Sequence, residues 1–216
     1  SDRNSKLCRI IKKIADELAE FSTDSDALGD AYEYLIGQFA AGSGKKAGEF
    51  YTPPEVSDLM AELLDPQLGD TICDPACGSG SLLMKCGRKV RENHNGSKNY
   101  ALYGQEAIGS TWALAKMNMF LHGIGEMTGE SLVSPADALI SAPSKGVDIV
   151  LANPPFGKKS STVIVGEDGR TSTEKDTIER DDFWATTSNK QLNFVQHIKT
   201  LLATHGRAAV VLPDNV

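Results

Sequence analysis

The sequence predicts an α/β protein with a doubly wound, mainly parallel sheet preceded by an N-terminal helical segment. Two observations support this fold class. From about residue 70 onward, short apolar runs alternate with stretches of helical periodicity, and the first of these runs leads directly into a turn that contains glycines. The chain has 216 residues, of which 40% are hydrophobic, so it can bury a sizeable core.

Helical periodicity dominates the N-terminal part of the chain. Apolar residues over 7–18 recur at steps of three and four, which predicts a first amphipathic helix. A second helix is expected to begin after a cap at Asp24 or Ser25 and to end at Gly42 and Gly44. Its buried face is predicted to consist of Leu28, Ala31, Tyr32, Leu35, Ile36 and Phe39.

Two adjacent prolines separate this helical part from the rest of the chain. Pro53 and Pro54 interrupt regular structure, because proline fixes φ and has no N–H group to donate. A third helix is expected to start just after them, over about 55–64. We therefore predict a helical segment over 1–47 and a larger α/β unit over 48–216.

The larger unit alternates between strands and helices. Strands are predicted at about 70–74, 100–105, 147–152 and 207–212, and helices at about 80–92, 109–122 and 191–204. The polar connection 157–190 is much longer than a usual βα loop. We expect it to be a functional loop, a small excursion such as a hairpin across 166–169, or partly disordered. Because the chain stops at Val216, just past a predicted strand, we expect the last strands of the sheet to be missing.

The composition argues against several classes of protein. Lysine and arginine total 22 against 29 acidic residues, and the net charge of −7 argues against a broad basic face for nucleic acid. No apolar run approaches the roughly 18 residues of a membrane span, and no secretory signal is visible. We therefore expect a cytoplasmic protein without membrane contact. The 4 cysteines and 4 histidines lack metal-site spacing, so we expect reduced thiols and no metal.

A buried strand, a glycine turn and a helix start follow one another over 71–81. Gly78 and Gly80 allow a tight turn that brings backbone N–H groups close to a ligand. Asp74 would repel a phosphate but suits a ligand with a cationic end, and S-adenosylmethionine carries an ammonium, a sulfonium and no phosphate. Glu106 ends the next strand, where an acid can accept hydrogen bonds from a ribose diol. The alternative is that Asp74 only caps the turn and Glu106 is solvated.

The turn Asn153-Pro154-Pro155-Phe156 follows the predicted strand at 147–152, at the end where open α/β sheets bind ligands. An aromatic exocyclic amine is a poor nucleophile, because its lone pair is delocalised into the ring. Hydrogen bonds to the Asn153 side-chain oxygen and the Pro154 carbonyl would favour its nucleophilic geometry, and Phe156 would stack on the base. A rigid turn with a buried aromatic residue is the alternative interpretation.

Several segments, in this order, resemble the N6-adenine DNA methyltransferases, above all the modification subunit of type I restriction-modification systems. They are Phe50-Tyr51-Thr52-Pro53, Asp74-Pro75-Ala76-Cys77-Gly78-Ser79-Gly80, Gly104-Gln105-Glu106, Asn153-Pro154-Pro155-Phe156-Gly157 and Gly206-Arg207-Ala208-Ala209-Val210-Val211-Leu212-Pro213. The resemblance covers nearly the whole chain, including the helical stretch 29–35. It implies the Rossmann-like fold of S-adenosylmethionine-dependent methyltransferases.

The resemblance also implies roles for individual residues. The cofactor S-adenosylmethionine would be bound by Glu49, Phe50, Tyr51, Thr52, Pro53, Pro54, Asp74, Gly78, Ser79, Gly80, Ser81 and Glu106, and by Glu130, where the family more usually has Asp. The residues Asn153, Pro154, Pro155 and Phe156 would face the target adenine. That adenine must be flipped out of the duplex, because its amine cannot meet the methyl group in line inside the base stack.

The sequence contains no visible DNA-recognition module, which fits its acidic charge. The resemblance implies that a separate specificity subunit reads the DNA, that two modification subunits flank it, and that a restriction subunit is a further partner. The expected activity is methyl transfer to the N6 amine of adenine in a specific DNA sequence. Two alternatives stay open: methylation of another planar amine, in ribosomal RNA guanine or protein glutamine, and a scaffold that binds the specificity subunit without catalysis.

Overall fold

Five parallel strands form the central sheet of the protein, and helices cover both of its faces. The predicted fold class is confirmed. The computed structural model describes residues 5–6, 8–9, 12–13, 25–42, 51–124, 132–141, 143–155, 161–165, 171–175 and 177–214. The described residues before position 14 are helical, in agreement with the first predicted helix, and the rest of that helix lies outside the described residues.

The order of elements alternates as the sequence predicts. The helices are α1 (Ser25–Gly42), α2 (Pro54–Leu64), α3 (Ser81–Asn93), α4 (Gly109–Leu121) and α5 (Lys190–Leu201). The strands are β1 (Thr71–Asp74), β2 (Ala101–Gln105), β3 (Val133–Ser134), β4 (Val147–Ala152), β5 (Ser161–Val165), β6 (Thr171–Lys175) and β7 (Leu202–Val210). In the described part of the chain, no helix combines the length and apolar character of a membrane span.

The strand order of the main sheet is β3-β2-β1-β4-β7. The central strand β1 pairs in parallel with β2 on one side and β4 on the other, and Cys73 lies opposite Val150. The chain order reverses between β1 and β4, and such a switch point is where doubly wound sheets bind ligands. The segments that follow β1 and β4 therefore emerge next to each other at one edge of the sheet.

The two faces of the sheet are buried against different helices. Ile72, Ile149 and Leu151 are fully buried in a cluster with side chains of α2, α3 and α4. The alternate residues Cys73 and Val150 pack on the opposite face, against α5. Burial on both faces explains why the sequences of β1 and β4 are almost continuously apolar.

The predicted buried face of α1 is wrong for three of its six residues and right for Ile36. Leu28, Leu35 and Phe39 are exposed, whereas Ile36 and Ala40 are buried. The reason is the close approach of α1 to the C-terminus of α4: a Cβ atom built on Gly29 would lie 2.6 Å from the His122 ring. Small residues therefore determine which side of α1 faces the protein.

Two boundaries also differ from the sequence prediction. The helix α5 ends at Leu201 and β7 begins at once, because the backbone of Leu202 is already extended. The pairing of β7 with β4 then shifts register between Val147 and Ile149, and His205 in this interruption has a left-handed φ of 69°. The short strand β3 was not predicted, since two residues carry no detectable periodicity.

The long connection before α5 contains a hairpin and an ordered segment. The strands β5 and β6 pair antiparallel, with Val165 opposite Thr171, so one of the three expectations for this connection, the hairpin, is confirmed; its turn lies outside the described residues. Residues 177–189 then pack along α5. Arg180 donates to Nδ1 of His197 at 3.1 Å and to the carbonyl oxygen of Ala138 at 3.3 Å, which ties this segment to the rest of the protein.

Candidate cofactor and catalytic site

The glycine turn after β1 has the left-handed geometry that the sequence predicts. The φ angles of Gly78 and Gly80 are 56° and 81°, values that side chains with a Cβ rarely adopt. Backbone hydrogen bonds close the turn: the Cys77 amide donates to the Gln105 carbonyl at 2.9 Å, and the Gly80 amide donates to the Cys77 carbonyl at 2.7 Å. The turn therefore holds the N-terminus of α3 against the end of β2.

Asp74 is fully buried at the end of β1. Its Oδ1 accepts a hydrogen bond from the Ala76 amide at 2.9 Å, so the expected turn-capping contact exists. Its Oδ2 is buried and has no hydrogen-bond partner among the described residues. Burial raises the pKa of Asp74 from 3.8 to about 7, and the neighbouring carboxylate of Glu106 adds to this increase. An unpartnered carboxylate oxygen with an acidic neighbour favours a ligand that brings N–H donors or positive charge.

Glu106 accepts a hydrogen bond from the same glycine turn and is 8% exposed, so it is not the solvated acid of the alternative interpretation. Its Oε2 accepts from the Gly78 amide at 3.1 Å and its Oε1 from the Ile108 amide at 2.7 Å. These bonds fix the carboxylate at the carboxyl end of β2. Each oxygen has a second lone pair, so the group can still accept hydrogen bonds from a ligand hydroxyl.

Asn153 follows β4 at the same edge of the sheet. Its Nδ2 donates to Thr52 Oγ1 at 3.2 Å. Its Oδ1 is buried, and no described residue gives it a hydrogen bond. The next residue, Pro154, is buried, and the Pro155 carbonyl accepts from Gln191 Nε2 at 3.4 Å. The turn thus contains one buried amide oxygen that lacks a donor among the described residues, and the sequence predicts that this oxygen accepts from a target amine.

A cavity of about 440 Å³ lies between α1, α3 and the segment before α2, and its lining does not include Asp74, Glu106 or Asn153. Four of the predicted cofactor residues line it, namely Tyr51, Thr52, Pro54 and Ser81. Side chains of α1 and α3 line it as well, including Glu33 and Lys85. Thr52 lines the cavity and also contacts Asn153, so one residue links the cavity wall to the proline turn. Its volume lies within the range of small-molecule sites.

Three structural contributors to this region were not predicted from the sequence. Asn118 of α4 is fully buried, and its Nδ2 donates to the Ser79 carbonyl at 3.1 Å, which supports the glycine turn from behind. Gln191 of α5 contacts the proline turn, and Glu33 of α1 lines the cavity. A polar residue inside an otherwise apolar helical stripe is a signal that could have identified Asn118.

Asp30, Glu33 and His122 bring potential metal ligands within 4.8 Å of one another. Arg88 Nη2 pairs with Asp30 Oδ1 at 2.6 Å, and Lys85 and Arg88 lower the pKa of Glu33 against the larger increase caused by burial. Arg88 therefore already balances Asp30, while the attraction of Lys85 and Arg88 only partly offsets the burial of Glu33. We assign the group to the packing of α1 on α3 and α4.

The remaining predicted site residues divide into two groups. Pro53 precedes α2, and its carbonyl oxygen accepts from the Ser57 amide at 3.1 Å. The predicted residues Glu49, Phe50, Glu130 and Phe156 lie outside the described residues. The structure therefore brings together the segments after β1, β2 and β4 with the segment before α2.

Comparison with known proteins identifies the family. The sequence profile of the family "N-6 DNA Methylase" matches residues 23–216. The methylase subunit of the type I restriction enzyme MpnII from Mycoplasma pneumoniae is 33% identical over 224 residues, covering 97% of this chain and 40% of the relative. The methylase subunit of the type I restriction enzyme EcoEI from Escherichia coli is 33% identical over 221 residues, covering 98% and 42%.

A solved structure agrees with these relatives. The methyltransferase subunit of a type I restriction-modification system from Streptococcus thermophilus superposes with a TM-score of 0.72 at 36% identity, covering 93% of this chain and 42% of that chain. This chain thus spans about 40% of the length of the curated relatives that it matches. The profile match and the relatives show that the chain belongs to the N-6 DNA methylase family.

Proposed function

We propose that this chain is the catalytic part of a type I modification subunit, which transfers a methyl group from S-adenosylmethionine to the N6 amine of adenine in DNA. Family membership supports the reaction class. The observation that carries the proposal is the Asn153 amide, whose buried Oδ1 lacks a donor in the described structure while its Nδ2 is held by Thr52. We assign the catalytic unit to 48–216 and regard 1–47 as a helical segment, of which α1 packs on that unit.

The groups around the glycine turn fit S-adenosylmethionine better than a phosphate ligand. The buried Oδ2 of Asp74 has no hydrogen-bond donor within the described part of the chain, and an ammonium group would supply one. Asp74 and Glu106 are adjacent acids, which disfavour a second anion. When bound, S-adenosylmethionine supplies an electrophilic methyl carbon on a sulfonium. The residues proposed to hold it are Asp74, Gly78, Ser79, Gly80, Ser81, Glu106 and the segment 49–54, with Glu130 as a further member.

The residues of the proline turn have a separate task in this proposal. Asn153 Oδ1 and the Pro154 carbonyl accept hydrogen bonds from the two N–H groups of the target amine, which draws electron density toward its nitrogen lone pair. The same two acceptors fix the direction of the amine, which lowers the entropic cost of reaching the reactive geometry. Pro155 stiffens the turn, and Phe156 is proposed to stack on the extruded base.

The proposed partners follow from the family and from the charge. An acidic chain does not hold DNA through a broad basic face, so a second protein supplies much of the phosphate contact. We propose a complex with DNA and a specificity subunit, with two modification subunits for each specificity subunit and a restriction subunit as a further partner. Because the proposed substrate is DNA, we propose a cytoplasmic location.

The direct test measures methyl transfer by the full-length protein together with its specificity subunit. Duplex DNA is incubated with labelled S-adenosylmethionine, and the modified nucleoside is identified by mass spectrometry. We expect N6-methyladenine. The variant Asn153→Ala should lower the rate about 100-fold or more, because it removes a preorganised acceptor. The control Asn99→Ala changes an exposed asparagine that is distant from Asn153 in the sequence, and it should leave the rate unchanged.

Each other outcome contradicts a defined part of the proposal. Methylation of guanine in RNA or of a protein glutamine would replace the substrate but keep the role of Asn153. Binding of the specificity subunit without any methyl transfer, and without heat on addition of S-adenosylmethionine in calorimetry, would favour a scaffold. A rate that is unchanged in Asn153→Ala would reject the proposed role of the proline turn.

A further inference from the structure

The hydrogen bond between Asn153 and Thr52 joins two segments that are 101 residues apart in the chain. A primary amide has a donor end and an acceptor end, and rotation by half a turn exchanges them. Because Nδ2 is bound to the Thr52 hydroxyl oxygen at 3.2 Å, Oδ1 is directed away from Thr52. Thr52 is 7% exposed, so water competes little for this contact.

We propose that Thr52 is a positioning residue, which holds the Asn153 amide in the orientation that presents its oxygen to the target amine. This inference rests on the proposed function. The opposite orientation would present the Nδ2 hydrogens to an amine whose own N–H groups are also donors, and such a pair cannot form a hydrogen bond. In that opposite orientation Oδ1 would accept from the Thr52 hydroxyl, so the observed contact is the one that leaves the amide oxygen free for an amine.

The backbone around Thr52 is suited to this task. Pro53, the next residue, has a φ of −52° and precedes α2. Its carbonyl oxygen accepts from the amides of Val56 and Ser57, each at 3.1 Å, and from the Ser57 hydroxyl at 3.2 Å. These three bonds fix the start of α2, so the Thr52 side chain is carried by a rigid segment rather than by a free loop.

This role differs from the cofactor contact that the resemblance implies for Thr52, and the two can be separated. A residue that only binds the cofactor changes cofactor affinity. A residue that orients the acceptor for the target amine changes kcat while cofactor affinity stays the same, because the oriented amide acts on the amine during transfer. Thr52 lines the cavity, so both quantities must be measured.

The test compares Thr52→Val, which keeps the shape and removes the hydroxyl, with Thr52→Ser, which keeps the hydroxyl. Both are made in the full-length protein with its specificity subunit. We expect Thr52→Val to lower kcat about 3- to 10-fold, the effect of one lost hydrogen bond. The affinity for S-adenosylhomocysteine, measured by calorimetry, should stay within about twofold, and Thr52→Ser should recover most of the lost kcat.

A double-variant comparison gives a readout that a structural role would not produce. In an Asn153→Ala background, Thr52→Val should have no further effect on kcat, because Thr52 acts through the amide. An additional loss of the same size, or a loss of S-adenosylhomocysteine affinity that accounts for the whole effect, would overturn the inference. If Thr52→Val does not fold, Thr52→Ala takes its place.

The failure of this inference is distinguishable from failure of the proposed function. If the wild-type protein methylates an amine other than adenine N6, the proposed function is wrong, and the same variants are measured on that amine. If the wild-type protein methylates adenine and Thr52→Val does so at the wild-type rate, only the role of Thr52 is wrong.

Discussion

Asp74 links the proposed cofactor site to the pH of the solution. Its carboxyl group is fully buried at the end of β1, and burial raises its pKa from 3.8 to about 7. A carboxyl group whose pKa is higher in the folded state binds more protons there than in the unfolded state. Its contribution to stability is therefore present at low pH and is lost as the pH rises through about 7.

We predict that cofactor binding has the opposite dependence on pH. An ammonium group near Oδ2 favours the ionised carboxylate, so affinity for S-adenosylmethionine should rise between about pH 6 and pH 8, and binding should release protons. Calorimetry in buffers of different ionisation enthalpy measures both quantities. The variant Asp74→Asn should bind more weakly and lose this dependence on pH. If the affinity for S-adenosylmethionine depends on pH equally in wild type and in Asp74→Asn, Asp74 is excluded as the titrating group.

The sequence predicts many of the individual residues of the site, but it does not predict which of them contact each other. The glycine turn follows from local sequence, because Gly78 and Gly80 occupy backbone conformations that other residues avoid. The pairing of Thr52 with Asn153 could not be predicted in this way. Their positions are 101 residues apart, and only the completed sheet brings them together.

At the scale of single elements, α1 shows how two amphipathic patterns compete. One stripe contains the large apolar residues Leu28, Leu35 and Phe39, and hydrophobicity alone favours it. The other stripe contains Gly29, Ile36 and Ala40, and this side is buried. Close approach to α4 decides between them, and periodicity carries no information about that approach. The bounds of α2, α3 and α4 were predicted to within about two residues because prolines and glycine turns mark them.

We predict that a single methyl group added at Gly29 weakens the docking of α1. The new Cβ would lie 2.6 Å from the His122 ring, so Gly29→Ala should lower the free energy of unfolding by about 1–3 kcal/mol. In the same helix, a Cβ at Gly42 meets nothing within 4 Å. Gly42→Ala should therefore be neutral or stabilise by up to about 1 kcal/mol through helix propensity. Urea denaturation measures both variants, and equal effects would mean that α1 does not dock at this position.

At the scale of the whole molecule, Arg207 joins three elements that are distant in the chain. From β7, its Nε donates to the Leu64 carbonyl at 2.6 Å, and its Nη2 donates to the Asp65 carbonyl at 3.0 Å and to Asp70 Oδ2 at 2.9 Å. The end of α2 and the approach to β1 are thereby fixed to the edge of the sheet. A helix end with unpaired carbonyls is stabilised by a cationic donor.

We predict that Arg207→Met lowers the free energy of unfolding by about 1–3 kcal/mol, because it removes the donor to the Leu64 carbonyl and one of the two donors to each of the Asp65 carbonyl and Asp70 Oδ2. Arg207→Lys keeps the charge but has no planar fork to reach both carbonyl groups, so it should recover only part of the loss. Thermal and chemical denaturation of wild type, Arg207→Met and Arg207→Lys measure their order of stability. A lysine variant as stable as wild type would show that charge alone matters.

The overall topology was predictable because it follows from the order of strands and helices. The contacts between residues distant in the chain were not predictable. Parallel pairing of β1 with β2 and β4 requires crossover connections, and the sequence contains them at the expected places. The early start of β7 depends on its interrupted pairing with β4, which no local pattern encodes.

The edge strand β7 has a practical consequence. The opposite margin of the sheet, β3, is only 2 residues long, whereas β7 has 9 residues, all partly or fully exposed. Along its outer side, within the described residues, no further strand takes up its backbone donors and acceptors. An edge strand with unpaired backbone N–H and C=O groups can pair with a strand of another chain. We therefore expect a preparation of these 216 residues alone to self-associate along β7.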